Sequence, residues 1–232
     1  MSEIESGKKK LISIVTPTYN EEENIQELYN EIKKSIADIS EYEFEIIVID
    51  NDSTDKTQEI LRSIASKDSS FKVIINNRNF GHIRSPYHGI LQSSGHATVY
   101  LASDLQDPPK YIPELIEKWK SGFKIVLAVK PESESGFLFH QIRKIYYRLF
   151  NKISDVPIIK DSTGFGIYDG DVIRQLKSIG DPYPFLRGLI CELGYKAETI
   201  PFKQPARKRG LTKNNFYTLY DIGILGVISH SK

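Results

Sequence analysis

The chain has 232 residues, with 31 lysines plus arginines, 30 aspartates plus glutamates and a formal net charge of +1. This length suffices for one large α/β domain with a substantial core, and the balanced charge gives no chain-wide field that would recruit nucleic acid. The single cysteine excludes an internal disulfide and a multi-cysteine metal site. Any electrostatic recognition must therefore come from local clusters, and no nucleic-acid partner is expected.

Strand and helix patterns alternate along the first half of the chain. Residues 1–10 precede them, carry charge without an apolar stretch, and are interpreted as a flexible tail. We expect Asn20 to cap the first helix, with Glu23 at the capping-box position, and Ser85-Pro86 to begin the third. Short β-branched runs predict strands at 11–15, 44–49, 73–75 and 97–101, and apolar residues at helical spacing predict helices at 21–38, 55–65, 85–95 and 110–121.

The second half of the chain is less regular. Proline at 201 favours an edge strand at 199–202, because proline is tolerated at the edge of a sheet. Further patterns predict strands at 124–129 and 161–168, an amphipathic helix at 142–153, and helices at 171–178 and 185–193. The alternation of strands and helices predicts βαβ crossovers, and hence an α/β fold with a mostly parallel central sheet flanked by helices.

Four polar clusters follow predicted strands, at residues 16–21, 50–55, 79–84 and 104–107. Ligands of parallel sheets bind beyond the carboxyl ends of the strands, so these clusters are expected to form one composite site. The last cluster contains Asp104, Gln106 and Asp107, whose oxygens suit a hard divalent cation. Taken alone, the same stretch is equally typical of an acidic turn before a proline-started helix.

Four strings occur in a fixed order, Val15–Glu21, Val48–Asp55, Asn79–Gly81 and Asp104–Pro109. They resemble the motifs of family 2 glycosyltransferases with the Rossmann-like GT-A fold, and in particular those of the polyprenyl-phosphate sugar transferases. These are relatives of dolichyl-phosphate mannose synthase and bactoprenol glucosyltransferase. The resemblance implies a GT-A catalytic domain over residues 11–213. It rests on Val15-Thr-Pro-Thr-Tyr-Asn-Glu21, Val48-Ile-Asp-Asn-Asp-Ser-Thr-Asp55, Asn79-Phe-Gly81, Asp104-Leu-Gln-Asp-Pro-Pro109 and, for the branch, Arg207…Arg209-Gly-Leu-Thr-Lys213.

The resemblance also implies a set of donor-binding residues. Asp50 would accept a hydrogen bond from the ring N–H of the base, and Tyr19 and Glu21 would line the nucleotide pocket. Simple packing is the alternative role for Tyr19, and a charge near the helix start is the alternative for Glu21. The full implied set is Pro17, Tyr19, Glu21, Asp50, Gly81, Ser103 and Lys130, whereas Asp55 and Thr57 are assigned to structure.

The acidic motif departs from the family pattern. Many relatives carry Asp-x-Asp-x-Gln here, but this chain has Ala102 at the first position, and alanine cannot bind a metal. Asp104 and Gln106 remain as the implied ligands of Mg²⁺ or Mn²⁺, and Asp107 is interpreted as the cap of the next helix. Asn51 and Asp52 likewise stand where the family commonly has Asp and Gly.

Local cations are needed to neutralise a diphosphate leaving group. The resemblance implies that Arg207 and Lys213 contact phosphate and close over the site, and with Asp104 they form the predicted catalytic set. A solvated basic face is the alternative for this cluster. Arg78, Arg84 and Arg187 are left open between site and surface.

The identity of the acceptor determines whether the enzyme needs a general base. A sugar hydroxyl needs a side chain that removes its proton, whereas the oxygen of a polyprenyl phosphate is already anionic. Relatives that use sugar acceptors carry a Glu-Asp pair ahead of an apolar helix, and the stretch from Asp181 to Arg187 lacks it. This favours the phosphate acceptor. Asp161 stays open as a site residue near the acceptor or as a strand-end residue.

Residues 214–232 have an apolar face and follow a basic cluster, which favours a helix at the membrane interface; a core helix is the alternative. In relatives, such a segment leads into membrane-spanning helices. We therefore expect a protein at the cytoplasmic face of the membrane, either peripheral or truncated before such helices. A homo-oligomer is left open.

The resemblance implies an inverting enzyme that transfers a sugar from a nucleotide-diphosphate sugar to polyprenyl phosphate, for cell-envelope glycan synthesis or modification. A UDP-sugar is predicted as the donor in preference to a GDP-sugar. A saccharide hydroxyl is the alternative acceptor. A catalytically silent sugar-nucleotide-binding module is the third hypothesis, because Ala102 removes one carboxylate.

Overall fold

The computed structural model describes residues 9–130, 159 and 162–205. The predicted tail, the helix predicted at 142–153 and the segment 206–232 lie wholly or mostly outside these residues. The first half comprises β1 Lys10–Thr18, α1 Ile25–Ile36, β2 Tyr42–Asp50, α2 Thr57–Ala65, β3 Phe71–Ile75, α3 Gly81–Leu91 and β4 Ala97–Tyr100. A 3₁₀ turn Pro109–Tyr111 is followed by α4 Ile112–Lys120, β5 Ile125–Val129, β6 Ser162–Asp169, α5 Gly170–Ile179, α6 Leu186–Glu192 and β7 Ala197–Pro201.

The strands of the described chain form one seven-stranded sheet in the order β3-β2-β1-β4-β6-β5-β7. Pairing is parallel between β1 and β2, β2 and β3, β1 and β4, and β5 and β7. Strand β6 runs antiparallel to both of its neighbours. The prediction of a mostly parallel α/β sheet is therefore confirmed, as is the edge position of the last strand.

Helices cover both faces of the sheet, which explains why β1 and β2 carry nearly continuous apolar runs. On one face, Ile12 and Ile14 of β1 pack with the buried residues of α1, α2 and α4. On the other face, Val15 and Ile47 pack with those of α3, α5 and α6. The polar ends of the parallel strands consequently emerge between the two helical layers.

Two predicted helix starts are wrong. Helix α1 begins at Ile25, and Asn20 does not cap it, because Asn20 adopts a positive φ of 51° and its side chain accepts a hydrogen bond from Thr54 N at 2.7 Å. Helix α3 begins at Gly81 instead of Ser85, and Pro86 lies inside it. Tertiary contacts between loops override the local capping signals in both cases.

The end predicted for the third helix is also wrong, because α3 ends at Leu91 and Gly95 lies beyond it. A side chain at Gly95 would clash with β1, since a Cβ there would lie 2.7 Å from Ser13 N. The glycine therefore permits the close approach of two segments and does not terminate a helix.

A buried carboxylate joins the strands at the end of the sheet opposite the polar clusters. Glu45 is only 3% exposed. Its Oε1 accepts hydrogen bonds from Ser94 Oγ at 2.8 Å and from Ser13 Oγ, and its Oε2 pairs with Lys72 Nζ. Burial raises the pKa of Glu45, but the hydrogen bonds from Lys72, Ser13 and Ser94 outweigh it, so that the pKa lies below its usual value.

Replacing this carboxylate should destabilise the fold. We expect Glu45→Gln to lower the free energy of unfolding at pH 7 by about 1–3 kcal/mol, because buried donors lose a charged acceptor. A lowered pKa gives stability that is present above the usual value of 4.5 and is lost as the pH falls through the folded-state pKa. The variant should therefore differ less from the parent at acid pH than at pH 7.

Urea unfolding at pH 7 and at acid pH measures both effects. Glu43→Gln is the matched control, because Glu43 is an exposed glutamate on the same strand. Equal stability losses in the two variants would contradict a stabilising role for the Glu45 network.

Candidate active site

The carboxylate of Asp50 organises the loop that follows β2. Asp50 is fully buried, and its Oδ1 accepts hydrogen bonds from Ser53 N at 3.0 Å and Gln58 Nε2 at 2.9 Å. Its Oδ2 accepts one from Ser53 Oγ. Sequence reasoning identified Asp50 but missed Ser53 and Gln58, since nothing local marks a glutamine eight positions away as a partner.

The loop after β1 is tied to this one by backbone donors. Asn20 N donates to Ser53 Oγ at 2.8 Å, and Glu21 N donates to Thr57 Oγ1 at 2.8 Å. Asp55 and Thr57 both make structural contacts, since Asp55 Oδ2 accepts a hydrogen bond from the backbone N–H of residue 22 at 3.2 Å. The expectation that Asp55 caps α2 is wrong, because Lys56 occupies the N-cap position. The 16–21 and 50–55 clusters therefore form one surface, as expected from neighbouring parallel strands.

Of the three predicted nucleotide-pocket residues of β1 and its loop, two are partly exposed at this surface and one is buried. Pro17 and Tyr19 are half-buried, so each retains a face open to a ligand. Glu21 is buried, and its Oε2 accepts a hydrogen bond from Asn24 Nδ2 at 2.6 Å. This contact holds the turn before α1, so Glu21 has a structural role whatever else it binds.

Asn51 connects the second cluster to the third. Its Oδ1 accepts from Phe80 N at 2.9 Å, and its Nδ2 donates to Asn79 Oδ1 at 2.9 Å and to Gly81 O at 3.3 Å. Gly81 adopts a φ of 84° and donates its N–H to Asn79 Oδ1 at 2.8 Å. Asp52 has a positive φ of 66°, which fits a position where the resemblance places glycine.

The acidic loop after β4 turns sharply at Leu105, whose φ is 62°. Asp104 is half-buried, and its Oδ1 accepts a hydrogen bond from Gln106 N at 3.1 Å. Ser103 beside it is buried at 6% exposure. Asp104 and Gln106 therefore sit on one tight turn at the same edge of the sheet as Asp50.

The prediction that Asp107 caps the next helix is wrong. The 3₁₀ turn has Pro108 at its N-cap position. The Asp107 carboxylate instead accepts from Ala102 N at 3.0 Å and from Thr163 Oγ1 at 3.4 Å. Asp107 therefore closes the acidic loop and joins it to the start of β6.

Burial raises the pKa of Asp107 to about 6, although the hydrogen bond from Ala102 N lowers it. The charge of Asp104 raises the pKa further, while Lys130 and Thr163 lower it. Lys130 is thus close enough to Asp107 for its charge to act on this loop.

A divalent cation would find few protein ligands here. Among the described residues, no three His, Cys, Asp or Glu side chains are grouped so as to hold a metal ion. Asp104 supplies one carboxylate and Gln106 one amide, while Ala102 supplies none. This set fits Mg²⁺ or Mn²⁺ only when substrate phosphate oxygens complete the coordination.

A cleft of about 100 Å³ opens beside the acidic loop, between the start of α3 and the segment before α6. Arg84 of α3 lies 4.2 Å from the ring centroid of Tyr183, which brings the two walls together. The lining of the cleft includes His82, Tyr100, Thr163, Gly164, Phe185 and Arg187. Sequence reasoning left Arg187 unassigned, because only the tertiary fold places this segment beside β4.

Three candidate residues, Arg207, Lys213 and Asp161, lie outside the described residues. Within the part of the chain that is described, no helix has the length and apolar character needed to cross a bilayer.

Comparisons with known proteins agree with this architecture. The sequence profile described as "Glycosyl transferase family 2" matches residues 13–176. "Uncharacterized glycosyltransferase YkcC" of Bacillus subtilis is 34% identical over 220 residues, covering 94% of this chain and 68% of that protein. "Prophage bactoprenol glucosyl transferase homolog" of Escherichia coli is 32% identical over 221 residues, covering 95% of this chain and 72% of that protein.

Solved structures of low identity share the fold. The mannosyltransferase PcManGT from Pyrobaculum calidifontis, in complex with GDP-Man and Mn²⁺, aligns with a TM-score of 0.59 and 19% sequence identity. The alignment covers 84% of this chain and 56% of the mannosyltransferase chain. Glucosyl-3-phosphoglycerate synthase from Mycobacterium tuberculosis aligns with a TM-score of 0.57 and 20% identity, over 95% of this chain and 78% of the synthase chain. This chain therefore belongs to glycosyl transferase family 2 and is a glycosyltransferase with the GT-A fold.

Proposed function

We propose that this glycosyltransferase moves a sugar from a nucleoside diphosphate, UDP more readily than GDP, to a polyprenyl phosphate, with inversion at the anomeric carbon. The product would serve cell-envelope glycan synthesis or modification. Two observations support this acceptor. Relatives about 32% identical carry the name bactoprenol glucosyl transferase. The described lining of the cleft beside Asp104 contains an arginine and no carboxylate.

The strand-end clusters suit the two halves of a nucleotide-sugar donor. Asp50, Tyr19, Pro17, Glu21 and Gly81 would hold the nucleoside. Asp104 and Gln106, together with Ser103, would hold the diphosphate through Mg²⁺ or Mn²⁺. When bound, the cation would neutralise charge on the departing nucleotide. Lys130, Arg207 and Lys213 would supply further positive charge around the phosphates.

The chemistry is a single displacement. An oxygen of the acceptor phosphate forms a bond to the anomeric carbon while the bond from that carbon to the β-phosphate oxygen breaks, and the nucleoside diphosphate leaves. The acceptor oxygen is anionic at neutral pH, so no side chain has to remove a proton. Positioning and positive charge are then the main requirements of the site.

Restoring the missing carboxylate should strengthen metal binding. We expect Ala102→Asp to lower the half-saturating Mn²⁺ concentration for transfer by about tenfold, since an added carboxylate raises cation affinity. Metal titration of parent and variant with saturating donor measures this. Asp38→Glu, at an exposed position just after α1, is the control variant and should leave the metal dependence unchanged. An unchanged metal dependence would show that position 102 does not face the cation.

His82 supports the alternative hypothesis that the acceptor is a saccharide hydroxyl. It lies at the cleft, and an imidazole can remove a proton from a hydroxyl. Under this alternative, His82→Gln should abolish transfer to an oligosaccharide. Under the proposed function, His82→Gln should leave the pH dependence of transfer to polyprenyl phosphate unchanged.

A panel assay tests the proposed function. UDP-glucose, UDP-N-acetylglucosamine and GDP-mannose are offered with Mg²⁺ or Mn²⁺, each with polyprenyl phosphate or with an oligosaccharide. A glycolipid product from one UDP donor supports the proposal. Turnover only onto the oligosaccharide would contradict it, and donor binding without any transfer would support the silent binding module.

The membrane association belongs to this proposal as well. Residues 11–213 would form the catalytic domain, and residues 214–232 an amphipathic segment at the cytoplasmic membrane surface, where the lipid acceptor resides. A basic stretch before an apolar face suits anionic lipid. Sedimentation with vesicles, for the full chain and for a chain ending at residue 213, measures this, and equal binding would contradict it.

A further inference from the structure

Arg187 is the one arginine or lysine among the described residues that line the cleft. It stands in α6 and is half-buried, and the segment before it faces the start of α3 across the cleft. Its side chain forms no salt bridge and no hydrogen bond with another described residue. A guanidinium at the wall of a cleft can pair with the oxygens of an anionic ligand.

The charge of Arg187 acts on two buried tyrosines, Tyr100, which lines the cleft, and Tyr168. Burial raises the pKa of Tyr100, and the charge of Arg187 opposes that rise. The same opposition acts on the pKa of Tyr168, whose hydroxyl donates to Gly164 O at 2.6 Å. Arg187 is therefore close to the end of β4, from which the acidic loop departs.

A hydrogen bond also connects the cleft to the acidic loop. Thr163 lines the cleft and donates to Asp107, the residue that closes the loop carrying Asp104. Gly164, next to it, has a φ of 93° and lies against the Tyr100 ring, where an added Cβ would be 3.6 Å from the ring. A ligand in the cleft would thus contact Thr163, whose hydroxyl is bonded to the loop that carries Asp104.

We propose that Arg187 binds the phosphate of the acceptor. A guanidinium fork matches the oxygens of a phosphate monoester, whereas a neutral sugar would not need a full charge at this place. The cleft contributes apolar walls from Ile83, Pro86 and Leu186, which suit the first carbons of a prenyl chain. This inference rests on the proposed function, and it assigns the acceptor phosphate to a residue of α6.

The experiment uses the full chain and two matched probes, farnesyl phosphate and farnesol, in calorimetric titrations. We expect farnesyl phosphate to bind the parent more tightly than farnesol does. Arg187→Gln should weaken farnesyl phosphate binding about 10- to 100-fold, as expected for the loss of a charge-assisted hydrogen bond. Arg187→Lys should recover part of that loss, because it keeps the charge without the fork.

Two controls separate a binding role from a structural one. Arg174→Gln removes an arginine whose side chain is 71% exposed and lies on α5, so it should leave probe binding unchanged. Donor affinity should change less than about twofold in Arg187→Gln, since the donor site is assigned to other loops. Transfer assays should show a raised KM for polyprenyl phosphate with a smaller change in the KM for donor.

The outcomes separate this inference from the proposed function. Equal binding of farnesyl phosphate to the parent and Arg187→Gln would overturn the role of Arg187, even if glycolipid is formed. A parent that glycosylates only hydroxyl acceptors would overturn the proposed function, while selective loss of farnesyl phosphate binding in Arg187→Gln would still support a phosphate site at α6.

Discussion

Asp104→Ala is expected to reduce sugar transfer by about a thousandfold or more, because it removes the last acidic residue of the metal motif. Losing one stabilising group at a developing charge commonly costs a factor of about 10²–10³, and here the cation would be lost with it. Ala102 offers no substitute, and Asp107 is already engaged by Ala102 N and Thr163. The rate of glycolipid formation at saturating Mn²⁺ measures the effect.

The fold should survive this substitution, since the hydrogen bond that Asp104 accepts from Gln106 N lies within its own half-buried loop. Thermal unfolding of the variant checks that expectation. Asp38→Ala, at an exposed position, should retain full activity. Near-normal transfer by Asp104→Ala would overturn the assignment of the acidic loop to the diphosphate.

Asp50→Asn is expected to weaken nucleotide binding by about 10- to 100-fold, which corresponds to the roughly 1.5–3 kcal/mol of a hydrogen bond with a charged partner. The carboxylate only accepts hydrogen bonds, and an asparagine would present an amide N–H₂ where the base N–H or Ser53 N–H donates. Titration with UDP and with GDP measures the loss and shows which base the pocket prefers.

Because Asp50 also holds Ser53 and Gln58, the variant should lose some stability, and binding must be compared at a temperature where both proteins are folded. Asp52→Asn is the matched control: it removes a charge from the same loop, and asparagine tolerates the positive φ of 66° at that position. Unchanged nucleotide affinity in Asp50→Asn, with only a lowered melting temperature, would restrict Asp50 to a structural role.

The sheet could be predicted from the sequence because its signals are local. Runs such as Ile46–Ile49 are buried on both faces and therefore carry β-branched residues without polar alternation. Their regular alternation with amphipathic helices favours parallel pairing. The carboxyl ends of parallel strands share one edge, which is why the sequence alone sufficed to assign Asp50 and Asp104 to the same edge of the sheet.

The misassigned residues are those whose partners are distant in sequence. Asp107 has the local pattern of a helix cap, but its carboxylate is engaged by Thr163, 56 positions away. Asn20 likewise bonds Thr54, 34 positions away, instead of its own helix. Arg187 likewise lines one cleft with Tyr100 and Thr163, which are far from it in the sequence. No local pattern encodes such contacts, since they depend on how separate elements pack.

Phosphorus NMR of the reaction with polyprenyl phosphate and a nucleotide-sugar donor tests the central claim most directly. If the strand-end clusters hold the donor and the acceptor phosphate is the nucleophile, the monoester signal should disappear and a phosphodiester signal should replace it as nucleoside diphosphate accumulates. An unchanged monoester signal while sugar appears on a saccharide hydroxyl, or while the donor is merely hydrolysed, would contradict it.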